Sequence, residues 1–188
     1  MCVLCDQAQA LRGGGGQGIE AWRLDGLSIA PAALIDRDNA AFSRGVTASD
    51  GLLDYYLHKP GGAVVVASGD GGFNEQTIQS VAISDRDQAF FRDMVNRLGG
   101  IIDLDFRETG SAEAADVSLY YDTEIKVGGG GNTLGLATTS GNAWELFVNY
   151  PGVADDESYR RYVNVHEFGH ALGLEHPFRK RRPIPASR

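Results

Sequence analysis

The stretch Val165-His166-Glu167-Phe168-Gly169-His170-Ala171-Leu172-Gly173-Leu174-Glu175-His176-Pro177 sets the architecture expected of the whole 188-residue chain. His166 and His170 are four residues apart, so on a helix they stand about one turn apart on one face. Two imidazoles placed in this way grip one ion from one side. The helix is expected to start near Asp155 or Asp156, either of which can cap free N–H groups and complement the positive end of the macrodipole. Glu167 points about 100° around the helix from His166, so it need not ligate the ion but reaches a water beside it. Gly173 follows the last helical residue, where a left-handed C-terminal turn favours a residue without Cβ. That reversal lets His176 return as a third nitrogen ligand. Three neutral imidazoles at roughly 2.0–2.1 Å leave tetrahedral zinc one open position, the arrangement of a catalytic rather than a structural site.

Five fixed residues at fixed offsets arise by chance in a chain of this length on the order of once in ten thousand, because histidine is rare. The bland alternative is a set of helix and loop histidines satisfied by ordinary hydrogen bonds. It does not explain why three of the chain's four histidines fall within eleven residues. His58, the fourth, stands alone in Tyr56-Leu57-His58-Lys59-Pro60 and is read as structural or exposed.

Composition narrows the remaining classes. The chain carries 17 Lys+Arg against 25 Asp+Glu, a formal net charge of -8, and 43% hydrophobic residues. That content excludes disorder of the whole chain, and no apolar run approaches the roughly 20 residues that span a bilayer. The acidic body repels nucleic acid phosphates. Residues 179–188 hold five basic and no acidic side chains, and Arg179-Lys180-Arg181-Arg182 reads as a solvated basic tail before it reads as a nucleic-acid patch. Neither nucleic acid nor a membrane is expected as a partner. The two cysteines, Cys2 and Cys5, lack the second pair of a zinc ribbon and the strand-to-helix setting of a redox motif. No basic, then apolar, secretory signal opens the chain.

Around the histidine segment the pattern is mixed α and β. Residues 1–26, with the run Gly13–Gly16, read as a flexible leader, 27–178 as one domain, and 179–188 as the tail. Gly128–Gly131 lacks the Gly-Lys-Ser/Thr of a phosphate loop and reads as a surface loop. Ala63–Ala67 predicts a buried strand. Ser84 with Asp87 resembles a capping box, and Phe90, Phe91, Met94, Val95 and Leu98 share a helical face until Gly99-Gly100. Met94 belongs to the core in this reading. Alternation predicts half-buried strands over Ile102–Phe106 and Val117–Tyr121, and Leu134–Thr139 and Trp144–Asn149 supply two more.

The set His166, Glu167, His170, Gly173, His176 and Pro177-Phe178 resembles the metzincin zinc proteases, most closely the serralysin-like group. The resemblance extends more loosely over residues 55–178. It implies an α/β (α+β) fold: a twisted mixed sheet of about five strands, mainly parallel, with an antiparallel edge strand, and two long helices, the second carrying the metal motif. It assigns Zn2+ to His166, His170 and His176 and the role of general base to Glu167. The implied activity is zinc-dependent hydrolysis of internal peptide bonds, with Glu167 taking a proton from the zinc-bound water and returning it to the leaving amine. The family binds its polypeptide substrate as an extended strand along the edge strand, here about Leu134–Thr139. Its members act outside the cell, which implies an extracellular location.

One departure stands out. The family places a methionine turn and a tyrosine after the third histidine, followed by a C-terminal subdomain with the specificity pocket. Here the methionines are Met1 and Met94, both upstream of His176, and the sequence continues twelve residues beyond it. Truncation or a change of reading frame is the expected cause. The alternative to an active protease is therefore a truncated, non-catalytic zinc-binding remnant, and a tail-driven nucleic-acid binder ranks third.

Overall fold

The computed structural model describes residues 34–66, 74–125 and 133–176. The expectations for the leader, the cysteines, Ala67, Gly128–Gly131, Pro177-Phe178 and the basic tail lie outside them. The described residues form a mixed α/β fold in the order α1 (Arg37–Val46), β1 (Leu52–Leu57), β2 (Gly62–Val66), β3 (Gln76–Val81), α2 (Asp85–Gly99), β4 (Asp105–Glu108), β5 (Val117–Asp122), β6 (Gly135–Ser140), β7 (Ala143–Asn149), α3 (Tyr150–Val153) and α4 (Glu157–Ala171). No helix among these residues is long and apolar enough to cross a membrane.

All seven strands join one sheet, two more than the sequence led us to expect. Strand β5 is its centre. Along one edge it pairs in parallel with β1 over Val117–Leu119 and antiparallel with β3 at Tyr121 and Asp122; along the other it pairs in parallel with β7. Beyond β1 lies parallel β4, beyond β3 lies antiparallel β2, and beyond β7 lies antiparallel β6. The sheet is thus evenly mixed rather than mainly parallel, because the β2–β3 hairpin joins on the far side of β5.

Helices α2 and α4 cover one face. Alternate residues Leu53, Tyr55, Leu119, Tyr121, Leu146 and Val148 point at them and meet Phe91, Val95, Val163 and Phe168 in the main core. The Phe168 ring packs edge-on against Phe91, with centroids 5.3 Å apart, and tilted against Phe106 at 6.0 Å. Met94 is buried in the same core. On the opposite face Tyr120 stacks on Phe147 at 5.5 Å and joins Val66, Ile78 and Ile125 in a smaller cluster. Both faces of β5 are therefore covered, so all six of its residues are buried rather than half of them.

Two other strands differ from the sequence reading. The segment read as Ile102–Phe106 starts at Asp105, because the Ile101 and Ile102 N–H groups both bond to Leu98 O and carry the chain through a turn first. Strand β2 is mostly exposed, with only Val66 buried. It pairs only with β3 among the described residues, and Val65 is 55% exposed.

The helix caps follow the sequence. Ser84 Oγ accepts from Asp87 N at 3.2 Å and lies 2.9 Å from Asp87 Oδ2, closing the reciprocal start of α2. Glu108 fastens β4 to α2: it accepts two bonds from Arg92 and pairs with Lys59 Nζ at 2.9 Å. The Arg92 bond above all holds its carboxyl down at about 2.

Candidate metal centre

The centre rests on α4, whose N-cap is Asp156, with Oδ1 accepting from Tyr159 N at 2.8 Å. This fits the expected start. Arg160, Val163, Asn164, Glu167, Phe168 and Ala171 recur at helical spacing and are all buried. Three of those six are polar or charged, and the partners of Arg160 and Asn164 orient the helix. Arg160 Nε reaches both oxygens of Asp87 on α2, at 3.1 and 3.2 Å, and Arg160 Nη1 donates to Val153 O and Ala154 O. Asn164 Nδ2 donates to the Tyr121 hydroxyl at 3.0 Å, and burial pushes that hydroxyl's pKa well up, so it stays protonated.

His166 and His170 stand beside this stripe, half-buried, with ring centroids 4.8 Å apart. The helix ends in a complete reversal. Gly173 N donates to His170 O and Leu174 N to Gly169 O, and Gly173 adopts φ 90°. His176 comes back as expected: its Nε2 lies 2.9 Å from His166 Nε2, and its ring centroid is 4.6 Å from that of His170.

One ring nitrogen from each histidine lies within 4.8 Å of the others, close enough for the three to bind one metal ion. Two donors at 2.0–2.1 Å on a tetrahedral ion stand about 3.4 Å apart. The His166–His176 pair is somewhat closer than that at 2.9 Å, and all three donors lie within 4.8 Å. His170 Nδ1 is 2.8 Å from Leu174 O. A carbonyl only accepts, so Nδ1 carries the proton and Nε2 keeps its lone pair, the outer hydrogen bond typical of a ligating histidine.

Glu167 is only 2% exposed. With His170 and His176 it lines a cavity of about 130 Å³ that is closed on one side by Gly135, Leu136 and Ala137 of β6. Strand β6 is the antiparallel edge strand predicted as Leu134–Thr139, and it pairs only with β7 among the described residues. Asp36 and Asn39, which the sequence reading missed, also line the cavity. Asp36 is the N-cap of α1, its Oδ1 accepting from Asp38 N and Asn39 N. That capping pattern was its only visible signal.

The segment leading into α1 also holds the reversal. Asp36 N donates to Gly173 O at 3.0 Å, Glu175 N donates to Leu34 O at 2.8 Å, and Ile35 bridges Leu174. Ser43 Oγ reaches Ala171 O at 2.6 Å. A Cβ at Gly173 would stand 2.7 Å from Ala40 Cβ, so both the backbone angle and the neighbour require glycine there. Gly173→Ala is accordingly expected to weaken any binding of a divalent ion by the three histidines by roughly 10- to 100-fold through misplacement of His176, measured with zinc as the probe by competition with a chromophoric chelator.

His58 is not part of the trio. Its Nδ1 lies 3.2 Å from the Tyr56 hydroxyl, its ring packs on Tyr120, and burial pushes its pKa down. Comparison with known proteins found no matching family model and no matching curated protein.

Proposed function

We propose that the chain is a zinc-dependent metalloendopeptidase of serralysin-like metzincin type. The observation that carries this reading is the buried Glu167 carboxylate sharing one cavity with His170 and His176, under a strand that is at the edge of the sheet among the described residues. His166, His170 and His176 would hold the ion. Zinc, when bound, polarises a carbonyl and makes water a better nucleophile near neutral pH.

The rest is done by the chain's own groups. Glu167 accepts the proton of the attacking water at its carboxylate and later delivers it to the leaving nitrogen. The main chain of β6, whose outer edge pairs with no strand among the described residues, offers that edge to an extended polypeptide, which sets the scissile bond over the cavity by strand addition. Burial of Glu167 against β6 and α4 keeps its carboxylate in one place, so little reorganisation is needed when the proton moves. The extracellular location belongs to this reading too, through the same resemblance.

The test uses the full chain supplied with zinc and then dialysed. Metal analysis is expected to give one zinc per chain, and unfolded casein to be cleaved in a way that a chelator stops and added zinc restores. A chain that retains no zinc overturns the reading. Stoichiometric zinc without any cleavage would replace it with the non-catalytic zinc-binding remnant.

A further inference from the structure

We infer that Gly135 is a positioning residue for Glu167: the missing side chain at the start of β6 is the space that the carboxylate of α4 occupies. This rests on the peptidase reading, which it extends to a residue that acts on the chemistry by leaving room for Glu167 and not by ligating the metal. An ideal Cβ built on Gly135 meets Glu167 Oε1 first, and would stand 2.7 Å from both Glu167 Cδ and Cγ. Cβ atoms do not tolerate such a distance, so one partner must move.

Conformation is not what demands glycine at this position. Gly135 is not among the glycines with positive φ, and it pairs with Val148 in an ordinary antiparallel register. Alanine therefore suits the backbone, and Glu167 is what excludes it. Side chains alternate along β6, so Gly135 and Ala137 face α4, where Ala137 packs against the main core, while Leu136 joins the cluster on the other face. The strand is held on its inner side by β7, whereas the Glu167 carboxylate, though packed in place beside a glycine, has the cavity next to it and so has room to move when a Cβ intrudes. The carboxylate yields, and it moves towards His170 and His176.

A displacement of about 1 Å can cost on the order of 100-fold in rate. Gly135→Ala in the full chain is expected to fold, to bind zinc with an affinity within about threefold of the parent, and to lose roughly 10- to 100-fold in kcat on casein with KM nearly unchanged. A weakened edge strand would instead raise KM. Packing is read separately, by thermal melting of the zinc-free chain in a double-mutant cycle. Gly135→Ala should lower the melting temperature by roughly 3–8 °C beside Glu167, and by less than about 1 °C in the Glu167→Ala background, where the space is free.

Unchanged kcat, or an equal melting cost in both backgrounds, overturns the inference. A parent chain that binds zinc but cleaves nothing removes the peptidase reading. The melting cycle then decides the contact alone: unequal costs uphold it and equal costs overturn it.

Discussion

Glu167→Gln is expected to lower the rate of casein cleavage by about 100- to 10,000-fold, the span of a lost general base, while one zinc per chain is still bound. The substitution keeps the length and volume of the side chain, so it still fits against Gly135 on β6. The imidazoles of His166, His170 and His176 are untouched. What is lost is the capacity to accept a proton. Zinc content and cleavage rate, measured on the same preparation, separate this from unfolding. Cleavage at the parent's rate would mean that Glu167 has no part in the chemistry.

The second large effect concerns stability. Asp87→Ala is expected to cost roughly 3–5 kcal/mol, because it leaves the guanidinium of Arg160 buried without its counter-charge. The two side chains are only 3% and 10% exposed, and Arg160 is fixed further by the carbonyls of Val153 and Ala154, so it cannot swing out to water cheaply. Pairing Asp87→Leu with Arg160→Met should recover most of the loss, since no uncompensated charge then remains. Urea unfolding of the full chain checks both. A cost below about 1 kcal/mol for Asp87→Ala would put the pair in the class of solvated ion pairs.

The histidine cluster was the most legible part of the chain, because its signals are local. A four-residue spacing, an aspartate cap and a glycine after the last turn each act over one helical turn, and Asp156, Gly173 and the three histidines stand where those rules put them. The errors arose where tertiary structure overrides the local pattern. Ser118, Tyr120 and Asp122 look like the wet side of an alternating strand, yet a second cluster covers that face. Arg160, Asn164 and Glu167 lie in the buried stripe of α4, which hydropathy alone would place in water. Helix α1 has no fully buried residue, and Phe42, which packs against the core, is too slight a signal to announce it. The demand for glycine at position 135 comes from a side chain 32 positions away, which no local window contains.

Ser43 and Ala171, in contact through the Ser43 hydroxyl, are 128 residues apart, and the bridge from Ile35 to Leu174 ties the same two regions. His166 and His170 arrive together on a single helix, but the last donor is seated by a stretch near the opposite end of the sequence. On the proposed reading, ion uptake would therefore monitor closure of the whole domain and not merely coiling of its final helix. A peptide comprising α4 and the reversal alone would possess every ligand and still lack the grip that gathers them.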